Sequence, residues 1–333
     1  MRLAAFISSV GFTALIALPL VGMASAPAEL GTEKRAARPF PPFAPAEWRT
    51  YPEKFEAYFG DRFGFREQLI GWHSQLAVEY LRESPVPDVI IGNHGRLFYA
   101  ALKDGISIAD FAGRWAFAPS DLDSWVAGSV ARHEQYNALG AHYLIVLVPN
   151  KQSVYPEDVP ARYGPPAPGV FDAIVARLHE HRELDVLDLR PVLRAHREPS
   201  VYYDTDTHWN RNGAFWAASA IVDHLRPWYR DLPPLRQGDY TITQEPHGGG
   251  ARAGDLALML AMPDTLPDTE WVYTRRTGNA GRRVLEEPAR QIYESDPNLP
   301  HAVLLGDSFG GELAPALADS FGRVYRSYSA RAG

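Results

Sequence analysis

The chain has 333 residues, of which 46% are hydrophobic and 22% are charged, and its net charge is −7. This size leaves room for one large α/β domain with additional elements or for two small domains, and the composition is that of a globular and not a disordered chain. The sequence has no basic block, which argues against nucleic acid as a partner. It also has no cysteine, which excludes disulfides, thiol nucleophiles and zinc–thiolate sites.

The N-terminus predicts export from the cytoplasm. Arg2 is followed by the uncharged stretch Leu3–Ala26, whose length suits either a secretory signal or a membrane anchor. Within it, Ala24–Ala26 has the small-x-small pattern of a cleavage site. We expect residues 1–26 to be a signal peptide or anchor and residues 27–49, rich in Pro, Ala and charge, to be a linker.

The remaining chain alternates between helical and strand patterns. The first half predicts helical structure over Pro52–Arg82 with breaks at Gly60 and Gly64, a hairpin of Val89–Ile91 and Arg96–Tyr99, a helix from Ser120 as N-cap to about Leu139, and a strand at Tyr143–Val148. The second half predicts helices at Phe171–Arg182 and Gly213–Leu225, strands at Val186–Leu189, Ala302–Leu305 and Val324–Tyr328, and loops with short strands over Pro233–Arg283. This alternation indicates a parallel sheet with helices on both faces.

The segment around Ser308 has the pattern of a nucleophile on a strand-to-helix turn. The strand Ala302–Leu305 is broken by Gly306 and Asp307, and a helix is expected to begin near Glu312. A helix N-terminus directs N–H groups and a positive dipole end at the turn, as a serine nucleophile requires. Gly-Asp-Ser is equally an ordinary turn sequence.

The best candidate for the missing base is His208. In an extended segment Asp206 would point to the same side and could orient the imidazole, and Asp204 is a rival for that role. Two alternatives are a surface turn in which the aspartates cap the following helix, and a divalent cation site formed by the two carboxylates and the imidazole.

Three further residues are candidates for substrate binding. Asn150 and Lys151 follow a predicted central strand, where ligands gather in open α/β sheets. Asn could donate to an oxyanion and Lys could attract an anionic sugar, although a plain turn explains them equally well. Trp209 could form a sugar-stacking platform with Trp216, Tyr202 and Tyr203, or these rings could pack in the core.

With these segments identified, the chain resembles the AlgJ/AlgX-type alginate O-acetyltransferase family, whose fold is SGNH-hydrolase-like. The resemblance rests on six motifs in order, Phe55–Leu69 (FEAYFGDRFGFREQL), Val89–Tyr99 (VIIGNHGRLFY), Val148–Pro160 (VPNKQSVYPEDVP), Tyr202–Gly213 (YYDTDTHWNRNG), Gly254–Leu260 (GDLALML) and Leu305–Leu317 (LGDSFGGELAPAL). It implies that residues 50–333 form an α/β domain with a central parallel sheet between two helical layers.

The resemblance also implies a site. Ser308 would be the nucleophile, His208 the general base and Asp206 the orienting carboxylate, and the Ser308 N–H would be one oxyanion donor. No cofactor or metal is implied. We expect the AlgJ-type arrangement and not the AlgX-type one, because the residues after this domain are too few for the carbohydrate-binding module of AlgX-type members. Because it ends at Gly333, we expect either an economically closed sheet or a truncated sequence.

The function implied by the resemblance is periplasmic transfer of acetyl groups onto an exopolysaccharide through an acyl-serine. The implied partners are the polysaccharide acceptor, a membrane-bound O-acyltransferase that supplies acetyl groups, and a polysaccharide export complex. Two alternatives stay open. The same residues could serve an acetylesterase with water as acceptor, or the chain could be a non-catalytic glycan-binding subunit of an export complex.

Overall fold

The computed structural model describes residues 2–30, 35–100, 107–116, 118–248, 253–278, 280–287 and 289–328. Two compact units are present, one comprising Met1–Pro85 with Leu258–Met262 and one comprising Val86–Ala257 with Pro263–Gly333. Residues 31–34 of the predicted linker and the end of the chain, 329–333, lie outside the described residues. The limits predicted for signal, linker and acetyltransferase domain stay predictions.

The helices and strands alternate along most of the chain. The α-helices are α1 Arg2–Gly22, α2 Tyr51–Asp61, α3 Arg66–Leu76, α4 Ser107–Phe111, α5 Pro119–Ala138, α6 Lys151–Val154, α7 Val170–His179, α8 Arg190–Ala195, α9 Arg211–Leu225, α10 Asp255–Met259 and α11 Gly310–Leu317. The strands are β1 Glu29–Leu30, β2 Arg35–Ala36, β3 Val89–Ile91, β4 Leu97–Tyr99, β5 Leu144–Leu147, β6 Asp185–Asp188, β7 Tyr240–His247, β8 Asp268–Arg275, β9 Arg282–Glu287, β10 Arg290–Glu294, β11 His301–Gly306 and β12 Arg323–Tyr328.

The first unit begins with an apolar helix. Of the helices that the structure describes, this one is long and apolar enough to cross a membrane; the stretch concerned is Phe6–Ser25, with a mean hydropathy of 2.0. The side chains of this stretch are almost entirely exposed. Length and composition suit a signal sequence as well as an anchor.

The rest of the first unit is helical, with breaks close to the predicted positions. Helix α2 ends at Asp61 and α3 begins at Arg66, so the break falls between the two predicted glycines and just beyond Gly64. A π-helical turn at Ala77–Leu81 continues α3. Arg35 in β2 forms a bidentate ion pair with Asp61, at 2.7 Å for both bonds, so part of the predicted linker is attached to α2.

The second unit contains small sheets. Strands β3 and β4 form the predicted antiparallel hairpin, β5 and β6 pair in parallel, and β11-β12-β10-β9 form a mixed sheet in which β11 and β12 are parallel. The mixed α/β content is as predicted. In the part of the chain that is described, a single central parallel sheet is not formed by these pairings, so the three-layer arrangement stays a prediction.

Two local predictions are wrong. Pro233–Arg283 contains a regular hairpin in which the eight residues of β7 pair with the eight of β8. Neither strand alternates regularly between buried and exposed residues, and Pro246 lies within β7, so the usual signs of a strand are missing. Helix α5 begins at Pro119, so Ser120 lies inside its first turn and is not the N-cap. Proline suits the first helical position because the N–H that it lacks has no partner there.

The core of the second unit holds α9 against α11. Small side chains on both helices are fully buried, which lets the two backbones pack closely; they include Ala214, Ala217 and Ala218 on α9 and Ala314 on α11. The apolar face predicted for Gly213–Leu225 is therefore the packing face. Since His208 precedes α9 and Ser308 precedes α11, this packing brings together the two segments that carry the candidate base and nucleophile.

Candidate active site

Ser308 lies at an exposed turn between β11 and α11. The Asp307 side chain accepts a hydrogen bond from the Phe309 N–H at 3.0 Å, and the Gly311 N–H donates to the Ser308 carbonyl at 2.9 Å. These bonds tighten the turn into the first residues of the helix. The Ser308 hydroxyl is consequently held on a rigid backbone and open to solvent.

His208 lies in a closed loop before α9. The Tyr203 N–H donates to the His208 carbonyl, and Tyr202 and Trp209 form an antiparallel bridge at the loop's base. The segment is bent, not extended as predicted, and the Asp206 carboxylate accepts a bond from the His208 N–H at 2.9 Å. The expected reason for the Asp206–His208 pairing is therefore wrong: an aspartate turn, and not strand alternation, brings the two side chains together.

The structure brings three predicted side chains into one chain of hydrogen bonds. His208 Nδ1 lies 2.6 Å from Asp206 Oδ1, and His208 Nε2 lies 2.7 Å from Ser308 Oγ. An ionised carboxylate can only accept, so Nδ1 carries the proton and Nε2 is free to accept from the serine. Residues a hundred positions apart thus have the geometry expected of the candidate nucleophile, base and orienting acid.

Phe309 joins the two segments. Its ring lies 5.0 Å from the His208 ring and 5.2 Å from the ring of the fully buried Trp209, measured between centroids. Its carbonyl accepts a hydrogen bond from Trp209 Nε1 at 3.2 Å. The residue after the nucleophile is therefore anchored to the residue after the base, which limits changes in the distance between Ser308 and His208.

Asp204 does not orient the histidine. Its Oδ1 accepts from Arg96 Nε at 2.9 Å, and its carbonyl accepts from the Leu97 N–H at 2.8 Å. Asp204 therefore attaches the start of the loop to β4. Because its carboxylate points to Arg96, it is also not part of a cation site with His208.

Asp255 is a site residue that sequence reasoning missed. Its Oδ2 lies 3.9 Å from His208 Nδ1, its N–H donates to Asp206 Oδ2 at 2.9 Å, and its Oδ1 accepts from the Thr207 N–H at 2.8 Å. Gly254 permits this approach, because a Cβ there would lie 2.3 Å from the Thr205 carbonyl oxygen. The motif Gly254–Leu260 was the available signal, but its sequence does not indicate what it contacts.

Among the residues that the structure describes, Asp206, His208 and Asp255 form a group that could hold a metal ion. One ligand atom from each lies within 4.8 Å of the others. Their facing atoms already form hydrogen bonds: Asp206 with His208 and the Asp255 N–H, and Asp255 with the Thr207 hydroxyl. These hydrogen bonds therefore account for the close approach of the three side chains.

The surroundings shift the pKa values of these groups. Burial opposes the charge of His208, but the hydrogen bond and negative charge of Asp206 outweigh it and raise the pKa of the imidazole above its ordinary 6.5. Burial likewise opposes ionisation of Asp206, but the bonds that it accepts lower its pKa. Burial and the neighbouring charge of Asp206 raise the pKa of Asp255. Asp206 is thus the carboxylate best kept ionised for orienting His208.

The residues predicted to bind substrate lie in different environments. Lys151 is buried and donates to the Leu97 carbonyl at 2.6 Å, and burial lowers its pKa to about 8. Trp209 is fully buried in the core. Neither side chain is open to a saccharide, so the geometry assigns both to structural support. Asn150 is exposed and precedes α6, and its predicted role in substrate binding stays a prediction.

The site places an imidazole between a carboxylate and a hydroxyl, an arrangement that is chemically able to activate a serine. The family model described as SGNH hydrolase-like domain, acetyltransferase AlgX, matches residues 125–332. The chain belongs to this family, and the resemblance predicted from its motifs is confirmed. Membership supports O-acetyltransfer, broadly in the acetylation of exopolysaccharides.

Similar solved structures include three bacterial proteins. PatB1 of Bacillus cereus is 14% identical, with a TM-score of 0.49 over 64% of this chain and 82% of that one. The O-acetyltransferase domain of Pseudomonas putida AlgJ is 18% identical, with a TM-score of 0.45 over 73% and 80%. Pseudomonas aeruginosa AlgX is 16% identical, with a TM-score of 0.41 over 72% and 53%. No curated protein sequence matches the chain significantly.

Proposed function

We propose that this protein is a periplasmic enzyme that transfers acetyl groups onto an alginate-like exopolysaccharide through an acetyl-Ser308 intermediate. The observation that carries the proposal is the 2.7 Å contact between Ser308 Oγ and His208 Nε2, with Asp206 on the other ring nitrogen. The exposure of Ser308 supports it further, because the hydroxyl is accessible to a donor and an acceptor.

The reaction has two steps. First, Ser308 Oγ attacks the acetyl carbonyl while His208 Nε2 takes its proton, and the donor's leaving group departs with that proton. Second, His208 takes the proton of a sugar hydroxyl, whose oxygen attacks the acetyl-serine. The ester bond to Ser308 breaks and the proton returns to Oγ. The reaction consumes one donor ester and forms one sugar ester, and it leaves the enzyme unchanged.

The carbonyl oxygen acquires negative charge in both steps. The Ser308 N–H would be one donor to this oxygen, next to the positive end of α11. A strong oxyanion donor contributes on the order of 3–4 kcal/mol to such a transition state. The imidazolium that forms at the same time is stabilised by the ionised Asp206.

The test is incubation with p-nitrophenyl acetate, followed by mass spectrometry of the protein and its products. We expect an added acetyl group on Ser308 and, with an alginate oligosaccharide present, acetylated sugar. Release of acetate alone, at a rate that the oligosaccharide does not change, would identify an esterase. Glycan binding without any acetyl-serine would identify a non-catalytic subunit.

The pH dependence of acylation follows from the state of His208. Only the neutral imidazole can take the serine proton, and its pKa is raised above 6.5. The rate of Ser308 acetylation should therefore be low in acid and rise with pH through a midpoint above 6.5. Stopped-flow measurement of p-nitrophenol release between pH 5 and about 9 checks this. A midpoint below 6.5, or one that persists in His208→Gln, would contradict the assignment.

Asp255→Asn should move this midpoint to lower pH by about one unit. The amide retains the shape of the side chain and the backbone N–H to Asp206, but it removes a negative charge 3.9 Å from His208 Nδ1. The rate at high pH should fall much less than in Asp206→Asn. Asp223→Asn, an exposed carboxylate on α9, is the matched control and should not move the midpoint. An unchanged midpoint in Asp255→Asn excludes an electrostatic role.

The location and partners form part of the proposal. The apolar helix α1 would export the chain or anchor it at the outer face of the inner membrane. A membrane-bound O-acyltransferase would supply acetyl groups there, and a nascent polysaccharide in an export complex would receive them. Co-purification of the tagged full chain with such an acyltransferase from membranes tests this arrangement.

A further inference from the structure

Helix α3 and the π turn after it carry an exposed apolar stripe in the first unit. Its members are all large and hydrophobic and all lie in the solvent-exposed class; they are Phe65, Leu69, Trp72, Leu76 and Tyr80. The most exposed are Trp72 at 66% and Tyr80 at 76%. Within the same helical stretch, Ser74, Ala77 and Val78 are buried. The large apolar residues therefore occupy the outward face, the reverse of the usual arrangement.

The spacing makes this set a continuous surface. Within α3, Leu69, Trp72 and Leu76 are three and four residues apart, so their side chains lie one above another along a single face. Phe65 directly precedes the helix, and Tyr80 lies in the π turn that continues it. The stripe has no charged member. Exposed apolar surface of this extent marks an interaction site.

The stripe begins where the apolar helix α1 ends. At this point the backbones are in close contact, since a Cβ at Gly22 would lie 2.8 Å from Gly64 Cα and 2.9 Å from the Phe65 ring. Gly22 belongs to the last turn of α1, and Phe65 is the first residue of the stripe. The apolar surface of α1 is therefore followed directly by that of the stripe, within one compact unit.

The continuity between α1 and the stripe indicates what covers the stripe. The twenty residues Phe6–Ser25 span about 30 Å, the thickness of the hydrocarbon core, so a membrane crossed by α1 has its outer interface near Gly22. Trp, Tyr and Phe side chains favour this interface, and exposed apolar helical faces insert there. We propose that the stripe from Phe65 to Tyr80 lies in the headgroup–acyl boundary of the bilayer that α1 crosses. The proposal rests on the anchoring role given to α1 above.

The test uses the absence of cysteine from the chain. Single-cysteine variants of the full chain at Trp72, Leu76 and Tyr80 are labelled with a nitroxide and reconstituted into vesicles of phosphatidylethanolamine and phosphatidylglycerol. Collision of the label with oxygen, which concentrates in lipid, is compared with collision with a water-soluble nickel chelate. Ser124→Cys, at an exposed polar position on α5, is the control, and Leu15→Cys reports whether α1 crosses the bilayer.

We expect an oxygen-to-nickel collision ratio that is severalfold higher at the three stripe positions than at Ser124, and highest at Leu15. If the Leu15 label is deep and the stripe labels are aqueous, α1 is an anchor and the stripe proposal is overturned. A Leu15 label that is exposed to water overturns both the anchoring role of α1 and the stripe proposal. Labels shielded from both reagents identify a protein contact, which also overturns membrane docking. Acetylation of Ser308, measured separately, reports on the acetyltransferase proposal alone.

Discussion

Ser308→Ala is expected to lower the rate of acetyl transfer by about four to six orders of magnitude. The change removes the atom that forms the covalent intermediate, so neither acetyl-serine nor acetylated sugar can accumulate by this route. The hydroxyl is exposed and contributes no core packing, so the free energy of unfolding should change by less than about 0.5 kcal/mol. The measurements are acetyl-transfer kinetics, mass spectrometry of the protein and thermal unfolding.

A matched control is Ser124→Ala, which removes an exposed hydroxyl from α5 that donates to the Ser120 carbonyl. This variant should retain both the acetyl-enzyme and the transfer rate. The assignment of Ser308 fails if its alanine variant still acetylates sugar at the rate of the original protein, or if the acetyl group maps to another residue.

Asp206→Asn is expected to lower the rate by about four orders of magnitude at neutral pH. The amide NH₂ can donate to His208 Nδ1, which favours the tautomer with the proton on Nε2. That tautomer cannot accept the Ser308 proton. Asparagine retains the shape of the side chain, and its oxygen in the Oδ2 position still accepts from the Asp255 N–H. The His208 N–H loses its acceptor, because it and Nδ1 both bond to Oδ1 of Asp206. The rate is measured with p-nitrophenyl acetate in the presence of the oligosaccharide acceptor.

Asp204→Asn distinguishes the two candidate orienting residues. The two positions differ by two residues, but the Asp204 carboxylate pairs with Arg96 and not with His208. Its amide variant should retain most of the activity and lose about 1 kcal/mol of stability, since the ion pair is partly exposed. If Asp204→Asn is the more damaging to the rate, the structure has assigned the orienting role to the wrong carboxylate.

The site was predictable where its parts are close in sequence. Asp206 and His208 are two residues apart, so a turn can join them without any contribution from the rest of the fold. Ser308 was recognisable from its local pattern of strand, glycines and helix. Asp255 was not, because it reaches the histidine only when Gly254 packs against the Thr205 carbonyl. Such a contact depends on how two loops fit together, which neither segment encodes alone.

Lys151 is a second residue whose surroundings the sequence could not predict. A lysine after a buried strand suggests a solvent-facing cation for an anionic sugar, since its local pattern is that of a ligand-binding turn. In the folded chain it is buried and donates to the Leu97 and Asp204 carbonyls. Burial is a property of the surrounding elements, and sequence distance to those elements carries no information about it.

By itself, the sequence determined the family, the apolar N-terminal segment, most helices and strands, and three residues of the candidate site. These follow from periodicity, turn chemistry and ordered motifs, which are local properties of the chain. Only the tertiary structure decided that Asp206 and not Asp204 faces His208, that Asp255 lies next to both Asp206 and His208, and that His208 contacts Ser308. The reason is that the packing of α9 against α11, and not any local preference, sets the distance between segments a hundred residues apart.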